Sequence, residues 1–191
     1  RKLGTYRNLI QHDNNETPMP FQDNYFQTIY CNSIYWVENT EKLLQEIFRI
    51  TKPKGKIILE VATPNFYSTL ENISKYLSPE AISILDRNRK STSPGIREFS
   101  AWKELIEKIG FSIEDIRIVY PNKILVDIWN IGLRPISHLL VQMSDNLDND
   151  KRMQIKQEWV DIFFKLFRPL LNLEKTYNLE DAPYLAFILK K

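Results

Sequence analysis

A chain of 191 residues, 43% hydrophobic and 26% charged, is long enough for one domain with a sizeable core and has the mix of a globular protein, which excludes collagen-like, disordered and disulfide-scaffold classes. Twenty-six Lys and Arg stand against 24 Asp and Glu, a formal +2 with the signs interspersed, so charge points to no nucleic-acid partner. Cys31 is the sole cysteine, His12 and His138 are the only histidines and the five glycines are scattered, which removes a disulfide framework, a Cys/His metal cage and a glycine-rich phosphate loop.

Residues 1–11 are polar and basic with no apolar run, so no signal peptide is expected there and a cytoplasmic location is the default. The opening at Arg1, running at once into mid-domain sequence at 6–12, points to an N-terminally truncated chain.

F-Q-T-I-Y-C at 26–31, preceded by the turn pair Asp23-Asn24, predicts a strand. A helix should follow, with Asn39 as N-cap, Glu41 in the first turn, and Leu43, Leu44, Ile47, Phe48 and Ile50 at helical spacing. Pro53 and Gly55 in K-P-K-G-K should end it and turn the chain, and 56–62, K-I-I-L-E-V-A, reads as a strand covered on both faces. Strand, helix and strand with short links form a crossover unit, so the fold class is α/β with a mostly parallel sheet. Ser100 should cap a helix through Ile109 that stops at Gly110; 111–120 alternates like a strand, and 184–189 is the last strand.

Two helical insertions, 67–97 and 123–180, interrupt the alternation. The first carries a start signal at Ser78-Pro79-Glu80. The second holds the longest apolar run, 124–143, which contains Asp127, Asn130, Arg134 and His138 and is interrupted by Gly132 and Pro135; it reads as buried or amphipathic, with no membrane span. Arg87, Arg89, Lys90 and Arg97 form the most basic stretch, read as a solvated loop in preference to a nucleic-acid patch.

Taken in order, P-M-P-F-Q-D-N-Y-F (18–26), the strand to Cys31, N-S-I-Y-W-V (32–37), the helix ending I-T-K-P-K-G-K (50–56) and I-I-L-E-V (57–61), then F-S-A-W-K-E-L-I-E-K-I-G-F (99–111), resemble the back half of class I, type-11-like, S-adenosylmethionine-dependent methyltransferases. The resemblance implies a Rossmann-like domain across 1–191 with sheet order 3-2-1-4-5-7-6, its first two strands missing here. It implies S-adenosylmethionine as cofactor and a small acceptor, for which an apolar molecule is one option. Asp13 would accept from the adenine amine, which suits an acceptor-only carboxylate, and Asn14 would face the ring. Asn32 and Ser33 would face the methionine portion, and Tyr35 and Trp36 would border the methyl acceptor. No catalytic base and no metal ligand is singled out, and oligomeric state is open.

Competing readings stand beside these. Asp13-Asn14-Asn15 is also ordinary turn chemistry. Tyr35 and Trp36 could be core aromatics under the next helix. His12 and His138 read as structural, and Asp127 with Arg134 as an ion pair, structural or functional. Trp129, Trp159, Phe163, Phe164 and Phe167 could cover an apolar acceptor or pack an amphipathic stripe on the domain. The family's glycine turn after its first strand and the ribose-binding acid after its second have no counterpart here. Gln27 replaces a usual acid, and Lys54 a usual glycine, which needs only another turn type. The truncated chain should therefore leave the strand at 26–31 with an open edge and bind cofactor weakly or not at all. A degenerate methyltransferase domain acting as a non-catalytic interaction module is the alternative.

Overall fold

The computed structural model describes residues 7–87 and 89–191, with His138 described by its backbone alone. The segment at 8–11 forms no ladder and is exposed; residues 1–6 lie outside the described residues.

Strand β1 (Phe26–Cys31) leads through a single helical turn at Ile34–Trp36 into α1 (Thr40–Ile50) and then β2 (Thr51–Ala62). Asn39 caps α1 by accepting from the Lys42 amide at 3.0 Å, and Leu43, Leu44, Ile47 and Ile50 bury one face. β1 and β2 pair in parallel, Tyr30 opposite Ile58 and Cys31 opposite Leu59, as two strands joined by a helical crossover must.

The K-P-K-G segment does not interrupt the chain between helix and strand as expected. β2 starts at Thr51, and the extra residues are absorbed as a bulge, since Phe26 pairs with Thr51 but Thr28 with Lys56. Lys54 sits there in the left-handed conformation, φ 63°, so lysine takes up the geometry glycine would supply instead of changing the turn. The neighbour does need to be glycine. A Cβ on Gly55 would fall 2.6 Å from Thr51 Cγ2 and 2.8 Å from the Lys52 carbonyl oxygen.

After β2 come α2 (Ser68–Ile73) and α3 (Pro79–Asp86), the latter capped by Ser78, which accepts from the Ala81 amide at 3.2 Å. α4 spans Phe99–Ile109. Its cap position is Glu98, not Ser100, and no side chain caps it; burial of Phe99, stacked on Phe187 at 6.1 Å, draws the first turn inward. β3 (Ser112–Ile118) is shorter than the predicted strand. Next are α5 (Lys123–Asp127), a π-helical run at Ile128–Leu133, α6 (Arg134–Asp145), α7 (Asn149–Leu170) and β4 (Tyr184–Lys190).

The sheet order is β1-β2-β4-β3. The expected α/β sheet flanked by helices is present, but only β1–β2 is a parallel pair; β4 runs antiparallel to both β2 and β3. The four strands match positions 4-5-7-6 of the order that the resemblance implied, and β1 ends the sheet among the described residues. The core fills both sides of β2 and β4, with Trp102 of α4 wholly buried and its Nε1 donating to the Ala62 carbonyl at 3.1 Å.

Lys123–Asp145 is long and apolar enough to cross a membrane by length and composition. Asn130 and Arg134 within it are nevertheless wholly buried against the domain, where Asn130 Nδ2 donates to the Phe66 carbonyl at 2.9 Å. Asp127 and Arg134 do not pair with each other. Asp127 accepts from Lys123 Nζ and from Thr69 Oγ1 at 2.6 Å, and Arg134 faces Asp86; helical spacing alone could not choose between these partners.

Candidate functional site

The loop before β1 is locked to α1 by one side chain. Arg49 makes a fork to Glu46, at 2.9 and 2.7 Å, and donates to Asp23 and to the carbonyls of Phe21 and Met19. Glu46 in turn accepts from the Met19 amide at 2.7 Å. Bidentate contacts of this kind fix position as well as charge. They pin Met19, Phe21 and Asp23 against α1.

Asp13 adopts the turn chemistry weighed against its ligand role. Its Oδ1 accepts from the Asn15 amide at 2.9 Å and from Asn15 Nδ2 at 3.2 Å. Asn15 Oδ1 accepts from the Glu38 amide at 3.0 Å, so the turn is tied to the loop that opens α1. His12 Nε2 lies 3.0 Å from the Glu16 carbonyl oxygen, a structural role.

Asn14, Asn32 and Ser33 share the wall of a cavity of about 370 Å³ beside β1, with Phe26, Ile29 and Tyr30 and with Leu43 and Ile47 of α1. Three of the four residues assigned to cofactor are thereby brought together; Asp13, next to Asn14 in the chain, is off the wall. Amide and hydroxyl groups beside apolar side chains suit a nucleoside with a short polar tail, so the residues present fit part of such a group. Cys31 also lines this cavity, and burial pushes its thiol pKa up, so the reactive thiolate is disfavoured.

Asn32 also faces a second cavity of about 270 Å³, and Tyr35 and Trp36 line it with Asn32, Glu60 and Arg89. Neither aromatic is buried under α1: Trp36 is 54% exposed. Gly95 lets the chain lie flat against this turn, donating to the Tyr35 carbonyl at 2.9 Å where a Cβ would fall 2.9 Å from Tyr35 Cα. Tyr120, Trp129 and Tyr184 also line it, with the Tyr184 ring edge to face against Tyr35 at 5.9 Å. The Tyr184 hydroxyl lies 3.4 Å from both the Asn32 carbonyl and the Tyr35 hydroxyl. Burial raises Tyr184 well above the usual phenol range and pushes Tyr120 up to about 12, so both stay neutral donors at ordinary pH.

Val119, Tyr120 and Trp129 separate this cavity from a third, of about 400 Å³, lined by apolar side chains of the later helices that include Trp159, Phe163 and Phe167. Of the aromatics named from the sequence, Phe164 alone points elsewhere, 58% exposed with Arg168 over its ring at 5.3 Å.

Arg89, Glu60, Tyr120 and Tyr184 were not legible as site residues. Arg89 in particular is not a solvated loop cation. It is half-buried, and its carbonyl accepts from the Tyr67 hydroxyl at 3.1 Å and from Ser93 Oγ at 2.8 Å. No cluster of metal-ligating side chains occurs among the described residues.

Residues 2–59 match the model of the family described as methyltransferase domain. No curated protein matches the chain. Among solved structures it is similar to the [4+2]-cyclase SpnF (14% identity, 94% of this chain and 54% of that one, TM-score 0.46). It is similar to a putative sarcosine dimethylglycine methyltransferase from Galdieria sulphuraria (14%, 94% and 57%, 0.48). It is also similar to an S-adenosylmethionine-dependent methyltransferase from Mesorhizobium loti (11%, 94% and 67%, 0.48). The chain thus spans little more than half the length of the first two of these proteins.

Proposed function

We propose that this chain, which carries part of a class I S-adenosylmethionine-dependent methyltransferase domain, belongs to an enzyme that methylates a small acceptor held between Asn32, Tyr35 and Trp36. The observation that carries the reading is the position of Asn32, which lies on the wall of two cavities at once. One holds the residues assigned to cofactor, the other those assigned to acceptor.

S-adenosylmethionine supplies an electrophilic methyl group when bound. Asn14, Asn32 and Ser33 would hold it by hydrogen bonding, and Asp13 would offer its second carboxylate oxygen, the first being used in its own turn. The aromatic walls at Tyr35, Trp36 and Tyr184 would exclude water and orient the acceptor, so placement and desolvation supply the rate. No residue need act as base. The 400 Å³ apolar cavity beyond Tyr120 and Trp129 has room for an apolar part of the acceptor, which is the specific reason to keep an apolar component in the proposal.

The free side of β1 is where the rest of such a sheet would pair. Cofactor contacts from this chain alone should accordingly be weak. Saturation-transfer NMR with S-adenosylhomocysteine, which detects weak ligands, should show transfer to the adenosine and methionine protons, reduced in Asn32→Ala. Absence of transfer in the parent chain would overturn the assignment. The non-catalytic alternative draws on the engagement of Asp13 in its own turn, and it predicts that same absence.

A further inference from the structure

We propose that the acceptor carries an acidic oxyanion group, a carboxylate or a phosphate, seated against Arg89. The proposal deepens the acceptor site assigned above and rests on it. Arg89 reaches the cavity wall, and among the described residues its guanidinium has no ion pair. The backbone of the residue is nonetheless held in place by three hydroxyl donors on its carbonyl, Tyr67, Thr92 and Ser93.

Behind the same wall lies a second guanidinium. Arg134 is wholly buried over the Phe66 ring, at 5.6 Å. Among the described residues its Nε, Nη1 and Nη2 find no hydrogen-bond partner. Asp86, at 3.9 Å, is the only carboxylate facing it among the described residues, and Arg89 acts on it as a like charge. The other charges nearby do not restore the balance. Arg87 adds a further cation near Arg89, and Lys90 is already paired with Glu71 at 2.7 Å. Glu60 lines the same cavity but acts on the hydroxyls of Tyr30, Tyr120 and Tyr184, while Asp86 is the one carboxylate among the described residues that acts on Arg89.

Two guanidinium groups against one carboxylate leave positive charge at one end of a pocket with aromatic walls. There water is scarce and a charge acts more strongly than in solvent. A buried cation without a partner is a standing cost to the fold. A planar fork of donors fits a carboxylate or phosphoryl group better than any neutral group. An acceptor with an acidic end at Arg89 and an apolar part toward Tyr120 and Trp129 fits the polarity of both walls.

The test uses benzoate and phenyl phosphate as probes and benzamide as the neutral control, titrated into the chain without cofactor. Trp36 and Trp129 line the cavity, so their fluorescence reports occupancy. At least one anion should quench saturably and bind about tenfold more tightly than benzamide, with the gain lost in Arg89→Met and partly kept in Arg89→Lys. The tighter of the two anions identifies the group as carboxylate or phosphoryl. Equal affinity for benzamide and both anions, or no saturable quench with either anion, would overturn the proposal. The anion-to-amide comparison in the parent chain decides the matter even where a variant fails to fold. Because no cofactor is present, the outcome is independent of whether S-adenosylhomocysteine binds.

Discussion

The Arg134 guanidinium ends 3.9 Å from the Asp86 carboxylate, near enough to attract it and too far to hydrogen-bond with it. The two are therefore a buried pair without the contacts that make such pairs favourable. At an effective dielectric near 20 the attraction is about 4 kcal/mol, and desolvating a guanidinium costs several kcal/mol. The like charge of Arg89 and three unpartnered nitrogens weigh further against the pair. Replacing Arg134 by methionine, which fills similar space without charge, should leave stability within about 1 kcal/mol of the parent. Asp86 Oδ1 is buried without a hydrogen-bond partner among the described residues, but Oδ2 accepts from the Lys90 amide at 3.3 Å and the side chain is 18% exposed, so the orphaned charge is partly compensated. Urea unfolding of Arg134→Met checks this. A loss above about 3 kcal/mol, the range for breaking a well-made buried pair, would contradict it.

Lys54 and Gly55 make opposite predictions although they are neighbours. Lys54 holds φ 63°, which costs a side-chain-bearing residue about 1 kcal/mol. Lys54→Gly relieves that strain but loosens the unfolded chain, so it should be neutral or stabilising by less than about 1 kcal/mol. Gly55→Ala places a Cβ 2.8 Å from the Lys52 carbonyl and 3.1 Å from that of Gln27. Backbone must move, and a loss of about 1–3 kcal/mol follows. Thermal midpoints of the two variants, read against the parent, separate strain from crowding. A stabilised Gly55→Ala would show that the bulge is not as drawn.

The Arg49 fork makes folding depend on pH through Glu46. The hydrogen bond from Arg49 holds the Glu46 carboxyl below the usual glutamate range, aided by the Met19 amide and opposed by burial. A group depressed in the folded state contributes stability above its unfolded pKa of about 4.3. That contribution is lost as pH falls from there through the lower folded value. Urea midpoints recorded from neutral pH down to about 3 should fall less steeply in Glu46→Gln than in the parent. Equal slopes would mean that Arg49 merely lies beside Glu46.

Local pattern made some of the molecule legible and could not reach the rest. The strand, capped helix and strand from Phe26 to Ala62 follow from side-chain period and from Asn39, because those elements satisfy their own backbone. Asn14, Asn32, Ser33, Tyr35 and Trp36 were named by their place after those elements, and the folded chain sets them on two adjoining cavities. Arg89 was not legible, because a run of cations is usually solvated, and the hydroxyl that fixes it comes from Tyr67, 22 residues away. Tyr184 reads as the first residue of a strand; only antiparallel pairing of β4 beside β2, opposite Ala62, carries its hydroxyl to Asn32. Ser100 failed as a cap because burial of Phe99 outweighed side-chain propensity at the first turn.

Trp36 and Trp102 share a ring and should respond differently to its loss. Trp102 is wholly buried and donates to the Ala62 carbonyl at 3.1 Å. Trp102→Phe leaves that carbonyl without its side-chain donor and a gap in the core, so stability should fall by about 2 kcal/mol or more. Trp36 stands 54% exposed at the second cavity and touches Tyr35 edge to face at 6.0 Å. Trp36→Ala removes little buried area, so its unfolding free energy from urea titration should stay within about 0.5 kcal/mol of the parent. Its effect should fall on ligand: the aromatic anions that report on the Arg89 pocket should bind more weakly, by about tenfold where ring stacking on Trp36 is lost. A Trp36→Ala chain that unfolds like the Trp102 variant would return Trp36 to the core; unchanged probe affinity would remove it from the acceptor wall.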